Sequence, residues 1–203
     1  MRGLLPAGVL LLALCAGCSP KELHPQPYAA WEEGLTLGFE VPGLQGSERE
    51  ASRLQKQVTR TEYEGQDRRV EINYTSLQGH MAIQQLIRRG GVYLIDSQGR
   101  PQTLLPEAFP DGAASWETAT HRFTLLGRAR WEQDKPVFPD TQSREGAWIE
   151  GAPLRPGGTR IRAFLLPGMG EVESRELREG RWVVTNRLVS RGFSEIPRPR
   201  EAK

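Results

Sequence analysis

The sequence predicts an all-β, mainly antiparallel fold: a curved sheet or half-barrel with one short N-terminal helix. Three observations predict it. Beyond residue 60 the apolar residues recur with a period of two, as on strands with one buried face. Gly, Pro, Asn and Asp clusters interrupt that pattern every 8–12 residues or so, the spacing of an antiparallel all-β domain. Gly127 falls in mid-strand, where a curved sheet needs a bulge or bend. With no internal repeat and no second core, residues 31–193 read as a single domain.

The elements follow in order. Residues 18–30 carry Pro20, Pro25 and Pro27 without apolar periodicity, an extended tether. Leu35, Leu37, Phe39 and Val41 alternate with polar or small residues and form a half-buried strand, ended by Pro42-Gly43. Ser47 and Glu50 have capping-box spacing, and Ala51, Leu54 and Val58 follow at helical intervals, predicting a helix over 48–57. Val70, Ile72 and Tyr74 mark the next strand. A turn at Gln78-Gly79-His80 leads to a strand over 81–88. Gly90-Gly91 turns into Val92-Tyr93-Leu94-Ile95, which closes at Asp96-Ser97-Gln98-Gly99. Phe123, Leu125, Gly127, Ala129 and Trp131 are assigned to one strand face, with Arg122, Thr124, Arg128 and Arg130 mostly on the other. Residues 161–166 and 171–177 pair across Pro167-Gly168-Met169-Gly170. Glu179-Gly180 then turns into a strand over 181–190, with Trp182, Val184 and Leu188 on one face. Residues 194–203, with Pro197 and Pro199, form a polar tail.

Composition narrows the function. Of 203 residues 37% are hydrophobic and 26% charged, ordinary for a folded domain. The 27 basic and 25 acidic residues are interspersed and leave a formal charge of +2. There is no one-sided basic field, and so no nucleic-acid partner is expected.

The first twenty residues carry an address. Met1-Arg2 precedes an apolar run over 4–14, too short to span a bilayer and typical of a secretory signal. Ala16-Gly17-Cys18 then places small residues before a cysteine. This resembles the lipobox of bacterial lipoproteins, with Cys15 where that pattern more often has Leu. The resemblance implies a signal over 1–17, diacylation of Cys18, and a membrane partner held through that lipid; paired acyl chains anchor stably where one does not. Cys15 and Cys18 are the two cysteines of the chain, so the processed form has no thiol for a disulfide, metal or nucleophile. Ser19 after the lipidated cysteine leans toward the outer membrane by the enterobacterial sorting pattern.

No catalytic constellation emerges. His24, His80 and His121 fall in the tether, a turn and a strand, none at metal-ligand spacing with another ligand, and His121 reads as a hydrogen-bonded strand residue near a rim. There is no Gly-x-Ser-x-Gly elbow and no Ser-x-x-Lys. Glu32-Glu33, Asp134, Asp140, Glu171 and Glu173 are abundant rather than paired, and charged residues on strands default to a solvated face. Gly168-x-Gly170 lacks the third glycine and the helix of a phosphate loop, so no cofactor is expected. The five tryptophans, Trp31, Trp116, Trp131, Trp148 and Trp182, are more suggestive. Trp116, Trp131 and Trp182 are candidates to line a concave face that holds an apolar ligand, against the plainer alternative of core packing.

Two segments also carry a family likeness. Leu104-Leu105-Pro106, Phe109-Pro110-Asp111-Gly112 and Ser115-Trp116, with Phe164-Leu165-Leu166-Pro167-Gly168-Met169-Gly170-Glu171-Val172, Gly180 and Leu188-Val189-Ser190, resemble the TapB-like or DUF3108-like exported domains over residues 90–193. That likeness implies a curved antiparallel sheet in the cell envelope. The outline of lipid anchor, early helix and curved meander also resembles the LolA/LolB carriers, whose half-barrels hold acyl chains. The resulting expectation is a non-enzymatic envelope lipoprotein that binds an apolar ligand or a protein partner. A purely structural envelope component and a hydrolase are the alternatives.

Overall fold

The computed structural model describes residues 26–132, 137 and 145–195. The signal, Cys18, most of the tether, His24, Asp134, Asp140 and the tail beyond 195 lie outside the described residues. Twelve strands form one sheet: β1 (Leu35–Glu40), β2 (Leu54–Glu64), β3 (Asp67–Ser76), β4 (Gly79–Arg88), β5 (Gly91–Ile95), β6 (Pro101–Leu105), β7 (Ser115–Glu117), β8 (His121–Arg130), β9 (Glu145–Pro153), β10 (Ile161–Leu166), β11 (Gly170–Arg178) and β12 (Arg181–Phe193). One short helix, α1 (Gly46–Ala51), joins β1 to β2.

The strand order is β6-β5-β4-β3-β2-β1-β12-β11-β10-β9-β8-β7, every pair antiparallel. Two six-stranded meanders are therefore joined through the first and last strands. The edges β6 and β7 are consecutive in sequence. Trp116 on β7 donates its Nε1 hydrogen bond to the Leu104 carbonyl on β6 at 2.8 Å, bringing the edges together and nearly closing the sheet into a barrel. The core cluster runs around one face, from Leu35, Leu37, Val58, Val70 and Ile72 to Ile149, Ala163 and Leu188.

The period-two reading places β1, β3, β4, β5, β10, β11 and β12 correctly. The helix is shorter than expected: α1 ends at Ala51, its N-cap is Gln45 with no side-chain cap, and none of its residues is buried. Leu54, Lys56 and Val58 instead point one way from β2, because pairing with β1 and β3 buries them better than an isolated turn of helix could. Gly127 does sit at a bulge, with φ near +135°. There Leu125 pairs with Ile149 and Gly127 with Trp148, so one extra residue enters the strand. Residues 129 and 131 thus fall on the opposite face from Phe123 and Leu125, correcting the single face assigned to that set.

The domain also extends past both expected limits. Ala29 and Ala30 are buried, Ala30 bridges to Met169, and Gly168 N donates to the Pro27 carbonyl, so the tether ends before residue 27. The segment continues to Trp31, whose carbonyl accepts from Thr61 Oγ1, and lies across one end of the barrel. Ser194, just past the end of β12, is tied by hydrogen bonds to Gly34, Thr36 and Gln57.

Candidate functional site

Strand register defines the site. Leu37 on β1 pairs with Lys56 on β2, Lys56 with Tyr74 on β3, and Tyr74 with Met81 on β4. Paired residues share a face, and here it is the face of the core. A lysine thus points inward from the middle of a hydrophobic row. Lys56 is 7% exposed, and its Nζ lies 5.9 Å from the centre of the Tyr74 ring. Burial pushes its ammonium down to about 8, with Glu171 opposing. Burial, and then Glu171, push the Tyr74 hydroxyl up to about 12.

Glu171 enters the same space from β11. The bulge at Phe164/Leu165 pairs it with Leu165, whose face it shares. Burial raises its carboxyl above the usual range, opposed by Lys56 and by a Ser174 hydrogen bond. The residue is nonetheless exposed to water. Lys56 and Glu171 feel each other, but neither is stabilised as an ion: a close salt bridge would raise the lysine and lower the glutamate. The walls nearby are apolar and partly open. Leu54, Ile83 and Leu125 are half-buried against the core, and Met81 is exposed.

Elsewhere the charges are already matched. Glu173, 2% exposed, accepts from Arg175 and Arg187. Glu150 is held between Arg160 and Arg162; burial acts to raise it, but those two arginines outweigh burial and hold it low. Glu40 is likewise clamped by Arg49 and Arg53, tying α1 to the sheet. A cleft of about 780 Å³ opens beside α1 over Gly38, Gln55 and Ser190. Its arginines are the two that already serve Glu40, so its charge anchors the helix. The interior face is the better candidate because buried Lys56 makes no salt bridge among the described residues.

The three tryptophans expected to line a ligand face are not brought together. Trp116 closes the seam between the sheet edges and stacks on Phe123 at 5.5 Å. Trp131 is buried beyond the end of β8. Trp182 lies under the Arg162 guanidinium, 4.1 Å from its ring centre. His121 is a hydrogen-bonded residue at a rim: its Nε2 lies 3.0 Å from the Thr159 carbonyl. Sequence reading missed Lys56. The signal was available as a lysine between Leu54 and Val58, but the helical assignment of that stretch hid it.

No family model matches the chain, and no curated protein matches it. Two solved structures share its architecture. One is described as a "putative lipoprotein" from Parabacteroides distasonis; it is 11% identical over 83% of this chain and 99% of its own, with a TM-score of 0.52. The likeness is one of fold. The other is described as a "putative exported protein with YmcC-like fold" from Bacteroides fragilis, 10% identical over 82% of this chain and 99% of its own, with a TM-score of 0.50. Neither description supports the TapB-like, DUF3108-like or LolA/LolB resemblance. The two matching segments are a loop between β6 and β7 and the tight β10–β11 turn.

Proposed function

We propose that this chain is an exported lipoprotein, anchored through Cys18, whose barrel binds an amphipathic ligand on its interior face. One observation carries the binding half: Lys56, 7% exposed and without a salt bridge among the described residues, stands on the interior face beside half-buried and exposed apolar residues. A pure scaffold gains nothing from a lysine buried on its apolar interior face, because burying a charge without a close partner costs stability. A ligand with a polar end and an apolar body suits such a wall. The lipid anchor rests on Ala16-Gly17-Cys18 after a short apolar run, and the description of one neighbour agrees with it. We assign no catalysis.

Native mass spectrometry of the chain from Ser19 onward, which keeps every described residue, tests binding. A co-purifying mass that leaves on delipidation and returns with added lipid is expected. A bare chain that takes up no lipid overturns the binding reading. Metabolic labelling with palmitate tests the anchor: label is expected on the native chain and absent from Cys18→Ala.

A further inference from the structure

Lys56 is buried on the interior face, with its Nζ 5.9 Å from the centre of the Tyr74 ring. Among the described residues its Nζ makes no salt bridge. Its neighbours on the register row are Leu37 and Tyr74, and Leu54 and Val58 flank it on β2. Two other cations assigned to this face by register have closer ring contacts than the 5.9 Å between Lys56 and Tyr74. Arg68 stacks on Trp31 at 4.3 Å, and Arg191 on Phe193 at 5.2 Å. A buried ammonium is costly unless an anion meets it. Glu171 is the nearest source of negative charge, yet it stays beyond contact.

On the basis of the binding reading above, we infer that the interior site takes an amphiphile with one small acidic head, the head pairing with Lys56 and the alkyl body lying along Leu54, Ile83 and Met81. Charge complementarity selects the head. Lys56 is the enclosed member of the pair, whereas Glu171 keeps contact with water and needs a ligand cation less. The apolar, partly open wall selects the body, because each methylene taken from water favours binding. A carboxylate or a phosphate monoester satisfies the same chemistry.

The test uses the chain from Ser19 onward with four C12 probes differing only in the head: dodecanoate, dodecyl phosphate, dodecanol and dodecylammonium. Titration calorimetry is expected to show at least tenfold tighter binding of an acidic probe than of dodecanol, and the tighter of the two acids names the source. In Lys56→Met that preference is expected to vanish while dodecanol binding persists. Unchanged acid preference in Lys56→Met overturns the assignment of the head but leaves the binding reading standing. Preference for dodecylammonium overturns it in favour of Glu171. Failure of all four probes overturns both readings. Should Lys56→Met fold poorly, ¹³C-carboxyl dodecanoate on the native chain decides: the bound carboxyl is expected to titrate below the free acid, and an upward shift overturns the pairing.

Discussion

Trp116 Nε1 donates to the Leu104 carbonyl at 2.8 Å, a single side-chain bond joining two strands that stand at opposite ends of the sheet order. The ring is also wedged between Phe109 and Phe123, at 5.6 and 5.5 Å. One residue therefore supplies both the polar and the apolar parts of the seam. Trp116→Phe keeps most of the packing and removes the donor. A loss of about 0.5–1.5 kcal/mol is expected in urea denaturation, the net worth of one partly buried hydrogen bond. Hydrogen exchange should quicken in β6 and β7 ahead of β1 and β12. A uniform change across the sheet would mean that the seam is not held at this point.

Glu173 presents a different kind of closure, within the β10–β12 region. Its carboxylate takes Arg175 on one oxygen and Arg187 on the other, at 2.6 and 2.8 Å. Removing the carboxylate from a buried pair costs about 3–5 kcal/mol, because the remaining charge stays unpaired. Both arginines keep some contact with water, so Glu173→Gln is expected near or somewhat below the lower end, at about 2–3 kcal/mol. Urea denaturation of Glu173→Gln beside Glu176→Gln, whose Arg178 partner is exposed, checks this. Equal effects would argue against a burial contribution.

Much of the sheet was legible because period-two burial is a local signal. Val70, Ile72 and Tyr74 announce β3 without knowledge of their neighbours. What remained hidden depends on contacts between distant strands. In β9, Gly146 and Gly151 blur the alternation, and both are small for tertiary reasons: a side chain at Gly146 would strike the Leu165 carbonyl, and one at Gly151 would strike the Phe123 ring. In β2 the intervals of Ala51, Leu54 and Val58 fit a helix locally, and only pairing with β1 and β3 overrides that. The candidate site was hidden for the same reason. Lys56 and Glu171 are 115 positions apart in sequence, and nothing local to either predicts that they share a space.

Gly127 tests whether the bulge is a requirement or a tolerance. Its φ near +135° is one that L-residues rarely adopt, although nothing lies within 4 Å of the position a Cβ would take. The cost of a side chain here is therefore backbone strain rather than collision. Gly127→Ala is expected to lose about 1–3 kcal/mol by thermal or urea unfolding. Gly43→Ala also has positive φ and open space, but it lies in a turn outside the ladder and can relax. A smaller loss there than at Gly127 would place the strain in the ladder. Equal losses would refute that.

Lys56 makes the fold sensitive to pH in a defined direction. Its amine titrates near 10.5 when unfolded and near 8 when folded. Between those values the unfolded chain holds more protons, so stability rises with pH; below about 8 both states are protonated and the whole penalty remains. Tyr74 acts oppositely, since its folded value near 12 exceeds the ordinary 10, but that loss begins only above about 10. Glu171 is also raised, and its contribution belongs to the acid side. The window from pH 8 to 9.5 therefore isolates the lysine. Chemical denaturation across it should show stability increasing for the native chain and level for Lys56→Met. At pH 7 the variant should be more stable than the native chain by about 1–3 kcal/mol, as when an apolar side chain of similar volume replaces a buried charge. A level profile for the native chain would show that the ammonium is solvated, and the interior site would then lack the charge that selects its ligand.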